Sequence, residues 1–260
     1  MRKIRAGIVG GAGYTGGELA RLLLNHPQVT LGFVYSRSNE GKPLHAVHHD
    51  LLGETELRFS GIGEMDADVI FLCMGHGESG KFLSDHPVPA GVKIIDLSND
   101  FRLQSAVAPR GRKFVYGLPE MNREAIRLAS DIANPGCFAT AIQLGLLPLA
   151  KAGLLTETYT TGITGSTGAG QGFSATSHFS WRANNIQAYK TLSHQHLAEI
   201  EQSLKQSGAE APVINFVPWR GDFTRGIFIS STLDCDEPLP ALVELYTGFF
   251  HGAAFTFLSQ

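Results

Sequence analysis

Gly10-Gly11-Ala12-Gly13-Tyr14-Thr15-Gly16-Gly17 follows directly on an apolar run at residues 4–9. Beyond it Leu19, Leu22 and Leu23 recur at helical spacing until Asn25-His26-Pro27 ends the pattern. Strand, glycine turn and helix together form the setting in which Gly11-x-Gly13-x-x-Gly16 reads as a dinucleotide fingerprint. Gly10-x-x-Gly13-x-x-Gly16 fits a spaced variant of it. Glycines let the backbone approach a pyrophosphate, which then rests on the open amides of the helix N-terminus. Gly10, Gly11, Gly13 and Gly16, with Tyr14 and Thr15 between them, are the first candidate cofactor contacts. A purely structural turn is the competing reading.

Further apolar runs at 29–35, 68–74 and 92–97 read as buried parallel strands, which makes the N-terminal half an α/β domain. An NAD enzyme usually ends its second strand in Asp or Glu for the ribose hydroxyls. Here the run ends in Tyr35-Ser36-Arg37-Ser38. Two hydroxyls and a guanidinium without a carboxylate suit a 2′-phosphate, so NADP is the expected cofactor. A solvated loop arginine is the alternative. Residues 39–64 read as a polar loop, and its His45, His48 and His49 as solvated rather than metal-bound. Ser98-Asn99-Asp100-Phe101-Arg102 lies past the fourth strand. Ser98 and Arg102 there are candidate contacts for an anionic substrate group, with a surface ion pair as the rival reading.

The 260 residues suffice for one large or two ordinary domains, and mean hydropathy is near zero. Charged residues are 17% and the net charge is −3, so neither a nucleic-acid surface nor a polybasic membrane patch is expected. No apolar run reaches the roughly 18–20 residues of a membrane span, and the N-terminus leads into a strand rather than a signal peptide. Cys73, Cys137 and Cys235 are too far apart and too few for a disulfide framework or a zinc-cysteine site. A reducing cytoplasm is the expected location.

Cys137 follows a tight Asn134-Pro135-Gly136 entry and precedes the helix-like Ala139, Ile142, Leu144 and Leu147. A thiol at a helix N-terminus is favoured as thiolate by open N–H groups and the helix dipole. Cys137 is thus a candidate nucleophile, a buried structural cysteine being the alternative. The helix is expected over 142–150, shortened or kinked by Pro148 and closed by Gly153. Residues 159–164 read as a strand leading into Gly165-Ser166-Thr167-Gly168-Ala169-Gly170-Gln171-Gly172, a second glycine loop able to offer backbone donors from Ser166 to Gly168, with a flexible connector as the alternative. Runs at 216–219 and 227–233 read as antiparallel strands, and 239–249 as a helix. Ser193 is the expected cap of a helix carrying His194, His196 and Glu199. His196 and Glu199, three apart, share a face, so the carboxylate can orient the imidazole. Thiol, imidazole and carboxylate are the parts of covalent catalysis with a proton shuttle. A metal site on His194 and His196 is a weaker reading, because no third ligand is placed.

Several stretches carry a wider resemblance: Gly10–Gly16, Asp96-Leu-Ser-Asn-Asp-Phe-Arg102, Tyr116-Gly-Leu-Pro-Glu120, Asn134-Pro-Gly-Cys-Phe-Ala-Thr140, Gly165–Gly170 and His194-Gln-His-Leu-Ala-Glu-Ile200. In this order they resemble the N-acetyl-gamma-glutamyl-phosphate reductases of arginine biosynthesis, across essentially the whole chain. The resemblance implies a Rossmann domain over 1–137 and an α+β catalytic and dimerisation domain of the glyceraldehyde-3-phosphate dehydrogenase type over 138–260. It implies NADPH as reductant, a small acyl phosphate as substrate and a homodimer or homotetramer. Cys137 would be the nucleophile, His196 the acid/base, and His194 and Asn134 substrate neighbours. Gln195 and Ala198 depart from the family's His-Arg-His-x-Pro-Glu-Ile, so a contact from an arginine at 195 does not carry over. The family's Asp-Asn-Leu-x-Lys-Gly-Ala segment would lie beyond Gln260; a polypeptide ending there is expected to bind cofactor weakly. Rival expectations are a related enzyme acting on aspartyl or N-succinyl-glutamyl phosphate, an inactive nucleotide-binding form and a metal-dependent hydrolase.

Overall fold

The structure, a computed structural model, describes residues 2–63 and 65–259, which fall into two compact units. The first comprises Met1–Gly117 and Glu124–Asn134, the second Leu118–Arg123 and Pro135–Gln260.

The first unit contains β1 (Ile4–Val9), α1 (Tyr14–Leu24), β2 (Val29–Tyr35), β3 (Phe59–Ser60), β4 (Val69–Leu72), α2 (Glu78–Asp85), β5 (Lys93–Asp96) and β6 (Phe114–Tyr116). α3 (Pro119–Leu128) follows and is cut by the division between units; β7 (Asp131–Ala133) completes the sheet. The seven strands run parallel in the order β3-β2-β1-β4-β5-β7-β6. Alternate residues of one strand feed opposite cores: Ile70 and Leu72 pack with Phe82 and Ile94, while Val69 and Phe71 pack with Leu31, Val34 and Phe59. Burial on both faces is why these strands read as continuous apolar runs. Strand order reverses between β1 and β4, and ligands of such sheets bind at the carboxyl ends beside that reversal. The turn at 10–13 stands at the end of β1.

The second unit contains α4 (Cys137–Ala152), β8 (Thr158–Thr164), α5 (Phe179–Arg182), β9 (Gln187–Ala188), α6 (Leu197–Gln206), β10 (Ile214–Arg220), β11 (Ile227–Leu233) and α7 (Leu239–Phe249). Its sheet has the order β11-β8-β10-β9 and is mixed, not antiparallel as the sequence suggested: β10 pairs parallel with β8, and β11 and β9 pair antiparallel on either side. Hydrophobic alternation reports which face of a strand is buried, not its direction, so the sequence carried no sign of this. α4 covers one face. A Cβ at Gly162 would stand 2.6 Å from Phe138 and 2.9 Å from Phe216, so the missing side chain admits both rings. α4 also runs further than expected, continuing through Pro148 to Ala152 before Gly153 closes it at φ 73°. Pro148 is buried among Leu146, Leu147 and Leu149. That burial offsets the lost N–H that would otherwise end a helix.

Candidate active site

The glycine turn of the first unit is anchored on one side and open on the other. Gly10 and Gly11 both donate their amides to the Tyr35 carbonyl, at 3.1 and 3.0 Å. Gly10 sits at φ 85°, where a Cβ would meet the Cys73 carbonyl oxygen at 2.5 Å. A Cβ at Gly16 would lie 2.6 Å from Gly11 Cα and 2.7 Å from Gly10 O, so the helix reaches the turn only because residue 16 has none. Gly13 caps α1 without a side-chain bond, and Tyr14 and Thr15 at the first turn are exposed. First-turn amides left open in this way are an anion site. At the end of β2, Ser36 is buried while Arg37 and Ser38 are exposed. Asn39, absent from the sequence reading, donates to the Ser36 and Ser38 hydroxyls at 3.3 and 3.2 Å and so frames the arginine. A backbone cradle with no room for Cβ and an exposed guanidinium beside framed hydroxyls fit a phosphorylated dinucleotide.

His48 corrects an expectation. It is 6% exposed, not solvated, and its Nε2 meets the Gly11 carbonyl oxygen at 2.7 Å. His45 is half-buried and His49 exposed. Ser98 and Arg102 are also placed differently from surface ligands. Ser98 is fully buried and donates its hydroxyl to Asp96 Oδ2 at 2.7 Å, while Ser79 donates to Oδ1 at 2.6 Å. Burial pushes the Asp96 carboxyl up and these hydroxyl bonds oppose it. Arg102, 5% exposed, donates from Nε to the Asn134 carbonyl at 2.9 Å and from Nη2 to the Leu97 carbonyl at 3.1 Å. Asn134 also gives its own amide to Asp96 O, so its backbone is held at both ends.

In the second unit Cys137 is the first residue of α4, exposed, with Gly136 as N-cap. The Gly136 amide donates to Glu199 Oε2 at 3.0 Å, and a Cβ on Gly136 would stand 2.5 Å from His196 Nε2 and 2.6 Å from Glu199 Oε1. Glycine at 136 is thus what lets imidazole and carboxylate close on the residue before the thiol. His196 Nε2 and Glu199 Oε1 are 3.8 Å apart, and both residues are buried. The helix carrying Glu199 begins at Leu197 with His196 as N-cap, three residues later than a Ser193 cap implied. The delay has a cause: His196 gives its amide to His194 Nδ1 at 3.2 Å, and Leu197 bonds the His194 carbonyl, making a turn where a helix was expected. His194 lies in an aromatic box, edge-on to Phe138, Phe216 and Tyr189. Burial, then the neighbouring His196 and Lys190, lower its pKa to about 4, so the ring is neutral near pH 7. The unfolded chain binds this proton first. The stability linked to it is whole above about pH 6.5 and is lost as pH falls toward 4.

Two residues that no spacing announced complete this region. Burial raises the Tyr189 phenol, with Arg220 opposing and the Cys137 thiol adding to the rise. The Arg220 guanidinium lies 4.8 Å over the same ring. The segment presenting Tyr189 and His194 passes through Lys190 and Leu192, both at positive φ. It is tied down where Tyr189 and Leu192 donate to the Pro218 and Phe216 carbonyls of β10. Non-glycine residues hold such angles only where surrounding structure fixes them. Cys73, by contrast, is pushed by burial to about 12 and stays a thiol. The second glycine loop also differs from expectation. Its amides at Gly165, Ser166 and Thr167 bond the carbonyls of Gly226, Phe223 and Thr224, and Gly168 and Gly170 bond within the loop. The backbone donors expected there are already engaged.

Residues 5–129 match the NAD-binding domain of semialdehyde dehydrogenases, and residues 137–260 their dimerisation domain. An N-acetyl-gamma-glutamyl-phosphate reductase of Christiangramia forsetii is 52% identical over 259 residues, covering 99% of this chain and 79% of that protein. One from Phocaeicola vulgatus is 53% identical over 250 residues, covering 95% and 76%. This chain belongs to the N-acetyl-gamma-glutamyl-phosphate reductase family. The fold reaches further than the sequence likeness. Aspartate semialdehyde dehydrogenase II from Vibrio cholerae, complexed with ASA, superposes with a TM-score of 0.71 at 18% identity, covering 100% of this reductase-family chain and 84% of its own. The Candida albicans aspartate semialdehyde dehydrogenase with NADP gives 0.66 at 16%, covering 94% and 75%. The family thus combines a parallel nucleotide-binding sheet with an α+β domain, as the motifs implied. Among the described residues no helix is long and apolar enough to cross a membrane, and no three His, Cys, Asp or Glu side chains gather as a metal site.

Proposed function

We propose that the chain reduces N-acetyl-γ-glutamyl phosphate to N-acetyl-glutamate semialdehyde and phosphate, through a thioester on Cys137, as a step of arginine biosynthesis. The observation that carries this is the clamp before the thiol: Glu199 holds the Gly136 amide at 3.0 Å, and glycine alone leaves room there for the His196 ring. It supports an exposed thiol at a helix N-terminus, where the dipole favours the thiolate.

His196 takes the Cys137 proton as sulfur attacks the acyl carbon. The C–S bond forms, the C–O bond to phosphate breaks, and the proton goes to the departing phosphate oxygen. When bound, NADPH supplies the hydride that reduces the thioester carbon. The tetrahedral oxyanion so formed collapses to the aldehyde and the C–S bond breaks; the sulfur leaves as thiolate and takes a proton from solvent by way of His196, which restores the starting thiol. First-turn amides of α4 are the donors nearest to that charge in sequence. Glu199 favours the imidazolium while His196 carries the proton. The pyrophosphate would rest in the cradle left by the missing side chains of Gly10, Gly11 and Gly13 and take its donors from the first-turn amides of Tyr14, Thr15 and Gly16, with Ser36, Arg37 and Ser38 at the 2′-phosphate. Tyr159 and Phe228 are 59% and 61% exposed on one sheet, which supports a homo-oligomer built on the second unit. A cytoplasmic location fits thiol chemistry of this kind.

The test is phosphate-dependent NADP reduction with N-acetyl-glutamate semialdehyde. Cys137→Ser should lower turnover by about 10³-fold or more. Turnover that survives the serine would end the thioester route.

A further inference from the structure

Of the buried histidines His48, His194 and His196, the first has no part in the chemistry above. Two short turns, residues 44–46 and 49–51, present it: His48 gives its amide to the Leu44 carbonyl at 2.9 Å and takes the Leu51 amide at 2.9 Å. Its ring packs against α1 where residue 17 is glycine. A Cβ there would meet His48 Cε1 and would stand 2.6 Å from Nδ1. Phe59 packs on the ring at 6.2 Å between centroids. The same segment grips α1 a second time, because Asp50 takes Nε and Nη2 of Arg21 at 2.5 and 2.6 Å.

Among the described residues the ring's hydrogen-bond partner is the Gly11 carbonyl, at 2.7 Å. A carbonyl only accepts, so Nε2 carries the proton. Gly11 and Ala12 share a planar trans peptide, in which C=O and N–H point opposite ways. Holding the Gly11 oxygen toward His48 therefore holds the Ala12 N–H away from it. That N–H takes no acceptor among the described residues. From the other side, the Gly10 and Gly11 amides are already fixed by Tyr35.

We propose that His48 is a positioning residue for the nucleotide: its Nε2–H locks the Gly11–Ala12 peptide so that the Ala12 amide is presented to the cofactor's pyrophosphate. This rests on the reading of the glycine turn as the NADP site. Without the donor the peptide is free to rotate, and the amide must be ordered when the cofactor binds, which weakens binding.

NADPH titration by fluorescence, with thermal melts of the same samples, tests it. His48→Ala and His48→Phe should each raise the NADPH Kd about 5- to 10-fold, the worth of one oriented donor. His48→Gln, which can still donate to Gly11, should stay within about 2-fold of the parent on the same scale. Phe keeps the apolar contact with Gly17 and Phe59, so Phe and Gln decide the matter even where Ala fails to fold. If His48→Phe binds as tightly as the parent, or if Gln loses as much as Phe, the ring is only packing and the proposal falls. If the parent itself does not bind NADPH, the nucleotide reading fails first and takes this inference with it.

Discussion

Two glycine-rich turns in this chain look alike on paper and differ in where their amides go. In the first, at residues 10–17, glycines 10 and 11 give their amides to Tyr35, and the first turn of α1 is left uncapped. In the second, at 165–170, the amides of Gly165, Ser166 and Thr167 reach the carbonyls of residues 226, 223 and 224, and Gly168 and Gly170 bond within the loop. The glycines serve different needs as well. Gly16 is glycine so that a helix can touch the turn; Gly165 is glycine because a Cβ would stand 2.6 Å from the Thr224 carbonyl oxygen. Glycine content marks close approach of backbone. Only the fate of the N–H groups tells whether a ligand or the protein's own chain is what approaches.

The sharpest way to break this contrast is Gly16→Ala. The added Cβ faces backbone on both sides, at 2.6 and 2.7 Å, and backbone cannot rotate away as a side chain can. Helix and turn must separate, at an overpacking cost of about 1–3 kcal/mol. The NADPH Kd should rise by about 100-fold, since the same separation spoils the anion site. Near-parental affinity in this variant would mean that the turn does not hold the pyrophosphate.

Arg37→Ala sharpens the contrast at one atom group. If the guanidinium framed by Ser36, Ser38 and Asn39 faces a 2′-phosphate, its loss should weaken NADPH by about 10-fold, the worth of a charge-assisted bond. NADH, which lacks that phosphate, should bind the variant as it binds the parent. Equal losses for both nucleotides would make Arg37 a general electrostatic contributor.

What the sequence made legible follows the same logic. Local chemistry was readable. The strand-turn-helix at 4–24 and the uncapped start of α4 at Cys137 depend on neighbours in the chain. So does the His196–Glu199 spacing, which survived although the helix starts at Leu197. Contacts between distant segments were not readable. His48 reads as a loop histidine until α1 is seen to leave a gap at Gly17. Tyr189 meets His194, and Arg220 meets Tyr189, only through the folding of β10 and the strained segment at 190–192. Ser98 and Arg102 carry the right chemistry for an anion, and no local spacing showed that they would also bond to Asp96, Leu97 and Asn134. The direction of β10 was equally hidden, because burial alternates in the same way in either orientation.

The smallest effect is expected at the second loop, and its smallness is informative. A Cβ at Gly168 meets one atom, Thr164 Oγ1, at 3.4 Å, and the residue has no left-handed φ. Gly168→Ala therefore adds a methyl to an exposed site in ordinary contact, and an alanine restricts the unfolded chain slightly more than glycine does. Stability should change by no more than about 0.5 kcal/mol and NADPH affinity by less than about 2-fold. The discriminating quantity is the KM for N-acetyl-glutamate semialdehyde. If the loop's amides face its own partners, as Ser166 does with Phe223, KM should stay within about 2-fold as well. A rise in KM with kcat unchanged would mean that substrate lies against Gly168 after all. The two turns would then differ in ligand, and not in whether they hold one.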